Sequence, residues 1–589
     1  MLARTAITTA SLALLAGVAT PVFAQADWAY WDKGNGKWDD AANWTVPMLG
    51  GAPPAAPGMI GGLPTPQIVL NKGGKAYTVQ ADNLVIPLTQ GILIDSGSAT
   101  LELRATLVGA PITVAAGGLK IDSSSAAEGV NVSAKTFAFA RRGSAVGKFL
   151  NNGGTFMVQK DGTDNAKLQV DGNIANTGTL DVNAGSSMIQ NGSGTKYETT
   201  FKQSKGEFKT ANAFTGNKIS FEFTGGKIVG DSTLVDSQLV LGTTTSARFI
   251  MSGEKGQLKS VSTGAADTAA VRKDQTIIVR ADTTKAQVKY VGADAFINEG
   301  TITMDSIVKQ GQTAADTVFY SDATASTKII NKGSMNLNKG FGGNRTIGGQ
   351  VLNDGTITLD SGAKAAFTSL LGNNLFHENH KGAKILLGGN DATLLLGFPD
   401  GSAPYSQLKN DGLIKGNGRI AAKKVFNNGA VVGPDKLEGK IDIGNSIGKI
   451  NIDGDFESTG VLAQAESQLK IEMDFANPNA MIDLMEISGF SLINGGAVEL
   501  SFLSTQYADL AVGQRFAFLT SAGGLSGSGF SSLNGQSPLS TVVVDGITVA
   551  LDFDQASSAA YIQVIAVPAP GTLAALGLMG LAASRRKRV

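Results

Sequence analysis

Short stretches in which apolar and polar residues alternate recur along most of this chain: AYTVQ (76–80), GILIDS (91–96), ATLELRATLVG (99–109), QTIIVRA (275–281), KILLGG (384–389) and KIDIGNSIGKINIDGDF (440–456). A period of two, built on Val, Ile, Leu and Thr and bounded by Gly, Asn and Asp, is the signature of half-buried strands joined by tight turns. Long amphipathic helices are not evident. The pattern predicts an all-β protein.

A repeat runs through these strands. LNNGGTFMV (150–158), IANTGTLDVN (174–183), FINEGTITMD (296–305), IINKGSMNLN (329–338), VLNDGTITLD (351–360), LKNDGLIKGNG (408–418) and VFNNGAVVG (425–433) share an apolar residue, an Asn, a Gly one or more positions on, and then an alternating strand. Self-similarity of this kind points to a stacked architecture. Gly suits a turn because it adopts a positive φ freely, whereas Asn tolerates the same region and can bond nearby backbone or a copy of itself one coil away. Asn331 and Asn353 stand 22 positions apart, Asn410 and Asn427 17. Each interval suits one coil of three short strands, and the longer gap from Asn353 to Asn410 would hold more than one coil or an insertion. The expectation is an elongated right-handed parallel β-helix, a β-solenoid. The competing reading is that Asn-x-Gly-Thr marks a series of hairpin turns.

The segments predicted are a leader (1–26), an aromatic-rich β cap (27–110), solenoid repeats (111–455), a C-terminal β-module or capping end with longer strands (456–565), and a tail with a short apolar helix (566–589). The leader has one basic residue, Arg4, a largely apolar stretch from Ala10 to Ala19, and small residues at its end. That is the layout of a secretory signal peptide, with cleavage after Ala24 or Ala26. Its apolar run is shorter than the roughly 20 residues a membrane span needs.

Composition narrows the function classes. The 42% hydrophobic content and 17% charged residues argue against disorder, and the absence of Cys excludes a disulfide-stapled or Cys-ligated scaffold. With both end segments removed, 44 basic residues face 49 acidic ones, a net charge of −5. A mildly acidic body without clustered Lys and Arg does not suit nucleic acid.

The tail VPAPGTLAALGLMGLAASRRKRV (567–589) carries the most specific motif. Gly571 to Ala583 is uncharged, and as a helix it would span about 20 Å, less than the roughly 30 Å of a bilayer core. It stops against Arg585, Arg586, Lys587 and Arg588, a basic cluster that favours the cytoplasmic side. The proline-bounded start Pro568, Ala569, Pro570, the short apolar segment and the basic end, paired with a leader, resemble the PEP-CTERM sorting signal of exopolysaccharide-producing Gram-negative bacteria. Ala569 stands where that family has Glu. The resemblance implies recognition by an exosortase-type membrane processing enzyme, transient insertion in the inner membrane, and release or transfer to the outer surface or matrix. The tryptophan-rich start WAYWDKGNGKWDDAANW (28–44) and GNSIGKINIDGDF (444–456) are similar to elements of secreted PEP-CTERM and autotransporter-passenger-like β-solenoid proteins. They imply an architecture and no reaction.

Trp28, Trp31, Trp38 and Trp44 suit either a cap over the first coil or a platform for sugar rings. His377 and His380 lie in His-Glu-Asn-His, which lacks the His-Glu-x-x-His spacing of zinc proteases, and the charged surroundings suggest a solvated loop. Asp-Gly-Asp at 453–455 reads as a turn, since the Gly-Gly-x-Gly-x-Asp array of calcium solenoids is missing. No catalytic, cofactor or metal residues are assigned. The chain reads as an exported structural or adhesive protein associated with exopolysaccharide. The alternative is a β-helix polysaccharide lyase, glycosidase or carbohydrate-binding module, whose carboxylates would converge from neighbouring coils.

Overall fold

The computed structural model describes residues 29–567 apart from short internal stretches, the longest being 46–66, and gives side-chain surroundings continuously only from about Leu168 onward. The leader and the tail, with its expected helix and sorting residues, lie outside the described residues. Nearly every described strand joins one hydrogen-bonded network, in which all but a few, mostly near the two ends, pair in parallel with a strand one coil later. The body is a parallel β-helix, as the repeat predicts.

One coil shows the plan. The strands Lys328–Asn331, Ser334–Leu337 and Asn344–Gly348 form three successive faces. They pair in register with Gln350–Asn353, Thr356–Leu359 and Lys364–Thr368 of the next coil. Alternation places Met335 and Leu337, then Ile357 and Leu359, inside, while their neighbours face out. Leu337 stacks on Leu359 and Ile347 on Phe367, so the core is a set of columns running along the solenoid. Earlier coils fill that space with aromatic rings. Phe201 and Phe221, in register one coil apart, stack with centroids 4.6 Å apart, and Phe208 and Phe214 pack beside them.

The hairpin reading is overturned, because the Asn-x-Gly segments join parallel strands. The reason for the asparagines also sharpens. Asn298, Asn331, Asn353, Asn379 and Asn410 each end a strand, are buried, and have no positive φ. With Asn427 they form a ladder. The Nδ2 of each donates to the Oδ1 of the next at 2.7–2.9 Å, across steps of 33, 22, 26, 31 and 17 residues. The first four also donate to a carbonyl of the following coil, those of Ser334, Thr356, Lys384 and Leu413. Coil length varies, yet the register of the ladder does not, because loops between faces absorb the difference.

The glycines after these asparagines need correction too. Gly300, Gly333, Gly355 and Gly412 do not have the positive φ expected of them. They are required by the closeness of the coils: a Cβ on Gly355 would be driven into the Gly333 carbonyl oxygen, and one on Gly333 into that of Gly300. Left-handed glycines serve other corners. Gly340, Gly342 and Gly343 turn the chain between two faces, and buried Arg345 holds that corner by donating to the carbonyls of Asn338 (2.7 Å) and Lys339 (2.7 Å).

Strand Lys449–Val461 runs through the 455/456 boundary, and parallel stacking continues to Ser532–Leu533. The antiparallel strands Val542–Val544, Ile547–Asp554 and Ala559–Ala566 then close the end, the last pairing with Arg515–Ser521. Such a closure covers an open sheet edge. At the other end, Ala29–Trp31 pairs antiparallel with Trp44–Thr45 and parallel with Gln67–Leu70.

Candidate functional site

The residues singled out in the sequence have different fates. Trp31 and Trp44 are 1% exposed and meet edge to face, centroids 5.0 Å apart, with Trp31 Nε1 donating to the Gly34 carbonyl. Neither offers a ring face to a ligand, so these two fill the end of the core. Trp28 and Trp38 lie outside the described residues, as do Ala24, Ala26, Pro568, Ala569, Pro570, Arg585, Arg586, Lys587 and Arg588.

The solvated-loop expectation for the histidines is wrong. Phe376–Asn379 is a strand of the first face, and His377 points into the core against the Phe367 ring. Its Nδ1 accepts from the Val351 N–H at 3.1 Å, and burial pulls its pKa down to about 4, so the ring is neutral. His380 points outward and contacts Asp354 (2.5 Å) and Glu378 (3.3 Å). The two rings face opposite sides of the wall. Among the described residues no group of three metal-binding side chains comes together. The Asp453–Asp455 stretch is a bend at Gly454 inside a continuous strand, where the Asp455 carboxylate accepts from the Phe490 N–H.

Outward-facing charges pair between coils. Glu207 lies between Lys209 (3.3 Å) and Lys227 (3.2 Å), Arg248 meets Asp231 at 3.2 Å, and Lys332 meets Glu299 at 3.6 Å. Exposed pairs of this sort contribute little stability each. They make the outer wall a regular, nearly neutral lattice.

Two local arrangements break that regularity. In the first, Lys415, Asp442, Lys470 and Glu472 come together on the second face, with Lys415 to Asp442 at 3.0 Å and Lys470 to Glu472 at 3.0 Å. Behind them Asp483 is wholly buried and accepts from the N–H groups of Gly448 (2.6 Å) and Glu472 (2.7 Å). Burial, aided by the charges of Glu472 and Asp442, outweighs these two bonds and raises its pKa to about 7. A carboxyl whose folded pKa lies above its ordinary 3.8 stabilises the fold fully below pH 3.8, and that contribution is lost as pH rises through 7. Hydrogen-exchange protection of Gln468–Met473 and Leu484–Ile487 is therefore expected to fall between pH 4 and pH 8, after correction for intrinsic rates. Asp483→Asn should flatten that slope, and an unchanged slope would contradict the assignment.

The second arrangement is a groove of about 530 Å³ near the C-terminal end, on the third face. Arg419, Asn451, Glu486 and Thr520 occupy successive strands in register, and the turn at Ser557 and Ser558 of the closing hairpin forms one wall. Arg419 is paired with Asp453, and Glu486 with Lys449 at 2.6 Å. The Gly454 N–H donates to Ser488 Oγ at 3.0 Å, leaving the Ser488 hydroxyl hydrogen directed elsewhere.

No family model and no curated protein matches this chain. Its reading therefore rests on its own residues. Of the groove residues, Asn451 and Asp453 lie in a stretch whose carboxylates the sequence flags, whereas Arg419, Glu486 and Thr520 carry no local signal. Only the register of coils of unequal length brings them together. No helix among the described residues is long and apolar enough to cross a membrane.

Proposed function

We propose that the protein is an exported structural or adhesive component of the outer surface or extracellular matrix of a Gram-negative-type bacterium, associated with exopolysaccharide. The observation that carries the reading is the parallel stacking of coils along the described residues. It yields a stiff wall whose outer side chains repeat at the strand spacing of about 4.8 Å. A surface of that kind presents many weak polar contacts in a row, and multivalency makes such contacts strong without a deep pocket. The leader and the Pro568-Ala569-Pro570 tail supply the route: export, a transient stay in the inner membrane, and processing by an exosortase-type enzyme.

The test is mass spectrometry of the protein from the surface and medium fractions of its native cells. A mature chain beginning after Ala24 or Ala26 and ending near Pro570 is the expected result. A chain intact through Val589 in both fractions would overturn the sorting route.

A further inference from the structure

We propose that the groove crossing Arg419, Asn451, Glu486 and Thr520 is a binding site for a neutral oligosaccharide, a ligand class that rests on the surface role proposed above. The groove crosses four successive strands, Leu413–Gly429, Lys449–Val461, Leu484–Ile487 and Arg515–Ser521. At about 4.8 Å per strand its floor is about 14 Å long. That length takes a chain of sugar rings rather than one.

The lining decides the chemistry. Among the described residues the Asn451 amide and the Thr520 hydroxyl have no side-chain hydrogen-bond partner, and both face the groove. The amide both donates and accepts, and so does the hydroxyl. Glu486 offers carboxylate oxygens beside them, and the Ser488 hydroxyl adds a donor. A row of mixed donors and acceptors matches the hydroxyls of a sugar, which also do both. Arg419 is already engaged by Asp453 and Glu486 by Lys449, so the charged groups of the groove are paired off and no cation is left over for an acidic ligand. That balance disfavours a polyanion. A peptide adding as a strand is excluded at this place, because each of the four floor strands is paired on both sides.

The closing turn adds a wall on one side only. Ser558 adopts a positive φ, its carbonyl accepts from the Ser521 N–H at 3.0 Å, and it holds the hairpin against the last coil of this face. The groove is therefore walled at the C-terminal end, and its lining stops at Arg419 on the other side, a shape suited to the end of a glycan chain.

The experiment is isothermal titration of the purified protein, whichever fraction holds it, with cello-, malto-, manno- and xylohexaose, and with hexagalacturonate as the acidic counterpart. Binding of at least one neutral hexasaccharide is expected, at least tenfold tighter than hexagalacturonate. Asn451→Ala combined with Glu486→Ala should weaken it at least tenfold, while Glu222→Gln, on the same face many coils earlier, should leave it unchanged. Circular dichroism confirms that the variants fold, and Asn451→Ala alone should weaken binding if the double variant does not fold. The bound hexasaccharide should be recovered intact. Binding to none of the four, binding that survives the variants, equal binding of hexagalacturonate, or recovery of shortened sugar would each overturn the proposal. Export is tested by the mass of the termini, so either reading can fail while the other stands.

Discussion

Replacing Gly355 with alanine is expected to destabilise the coils on either side of it by about 3 kcal/mol, the upper part of the range for overpacking a tight site. The new methyl would meet the backbone carbonyl of Gly333, and backbone in a stacked coil cannot rotate away as a side chain can. Relief requires separating two coils that are hydrogen-bonded in register along Ser334–Leu337 and Thr356–Leu359. Because each coil contacts only its neighbours, the damage stays local. Hydrogen-exchange protection of these two strands should drop roughly a hundredfold, since every 1.4 kcal/mol is tenfold. Gly34→Ala supplies the comparison. Gly34 has open space around its Cα and no positive φ, so its replacement should change stability by no more than about 0.5 kcal/mol. Equal effects at the two sites would contradict the close-approach explanation.

Asn353→Leu, a change of similar size, should cost about 3 kcal/mol at the centre of the ladder. It removes the acceptor of the Asn331 amide and the donor to Asn379 Oδ1, and it leaves the Lys384 carbonyl without its side-chain donor. Buried polar groups left unpaired cost about 1–3 kcal/mol each, and the Asn331 amide keeps one bond, to the Thr356 carbonyl. The end of the ladder behaves differently. Asn298 Oδ1 has no partner among the described residues, so Asn298→Leu breaks only the bonds that its Nδ2 makes to Asn331 and Ser334. Its cost should be about half. Urea unfolding followed by hydrogen exchange separates the two, and equal costs would show that the ladder does not act as a chain of dependent bonds.

Much of this fold was legible in the residues because its main signals are local. Alternation fixes which side of a strand faces inward, and an Asn at the same strand position in coil after coil reports the stack. The step from Asn353 to Asn410 concealed a rung at Asn379, because the neighbouring His377, Glu378 and His380 make that strand look polar. Burial of His377 as a neutral ring depends on Phe367 and on the Val351 N–H, neither of which is near it in sequence. The glycines were placed correctly and explained wrongly: a preference for positive φ is a property of one residue, whereas the contact of Gly355 with Gly333 belongs to two coils. The groove was the least legible feature. Its residues are aligned by loop lengths that vary from coil to coil, and no local spacing records that alignment.

The stacking itself can be tested through a chemistry the chain does not use. It contains no Cys, so an introduced pair can only bond to itself. Ser334 and Thr356 are opposite each other on adjacent coils and face outward, at a strand spacing of about 4.8 Å that a disulfide spans. Ser334→Cys with Thr356→Cys should oxidise to an intramolecular disulfide in nearly all molecules. Ser334→Cys with Thr358→Cys, two positions out of register and about 8 Å apart, should remain reduced. A bond in the second pair, or none in the first, would contradict the parallel, in-register coils on which the surface reading depends.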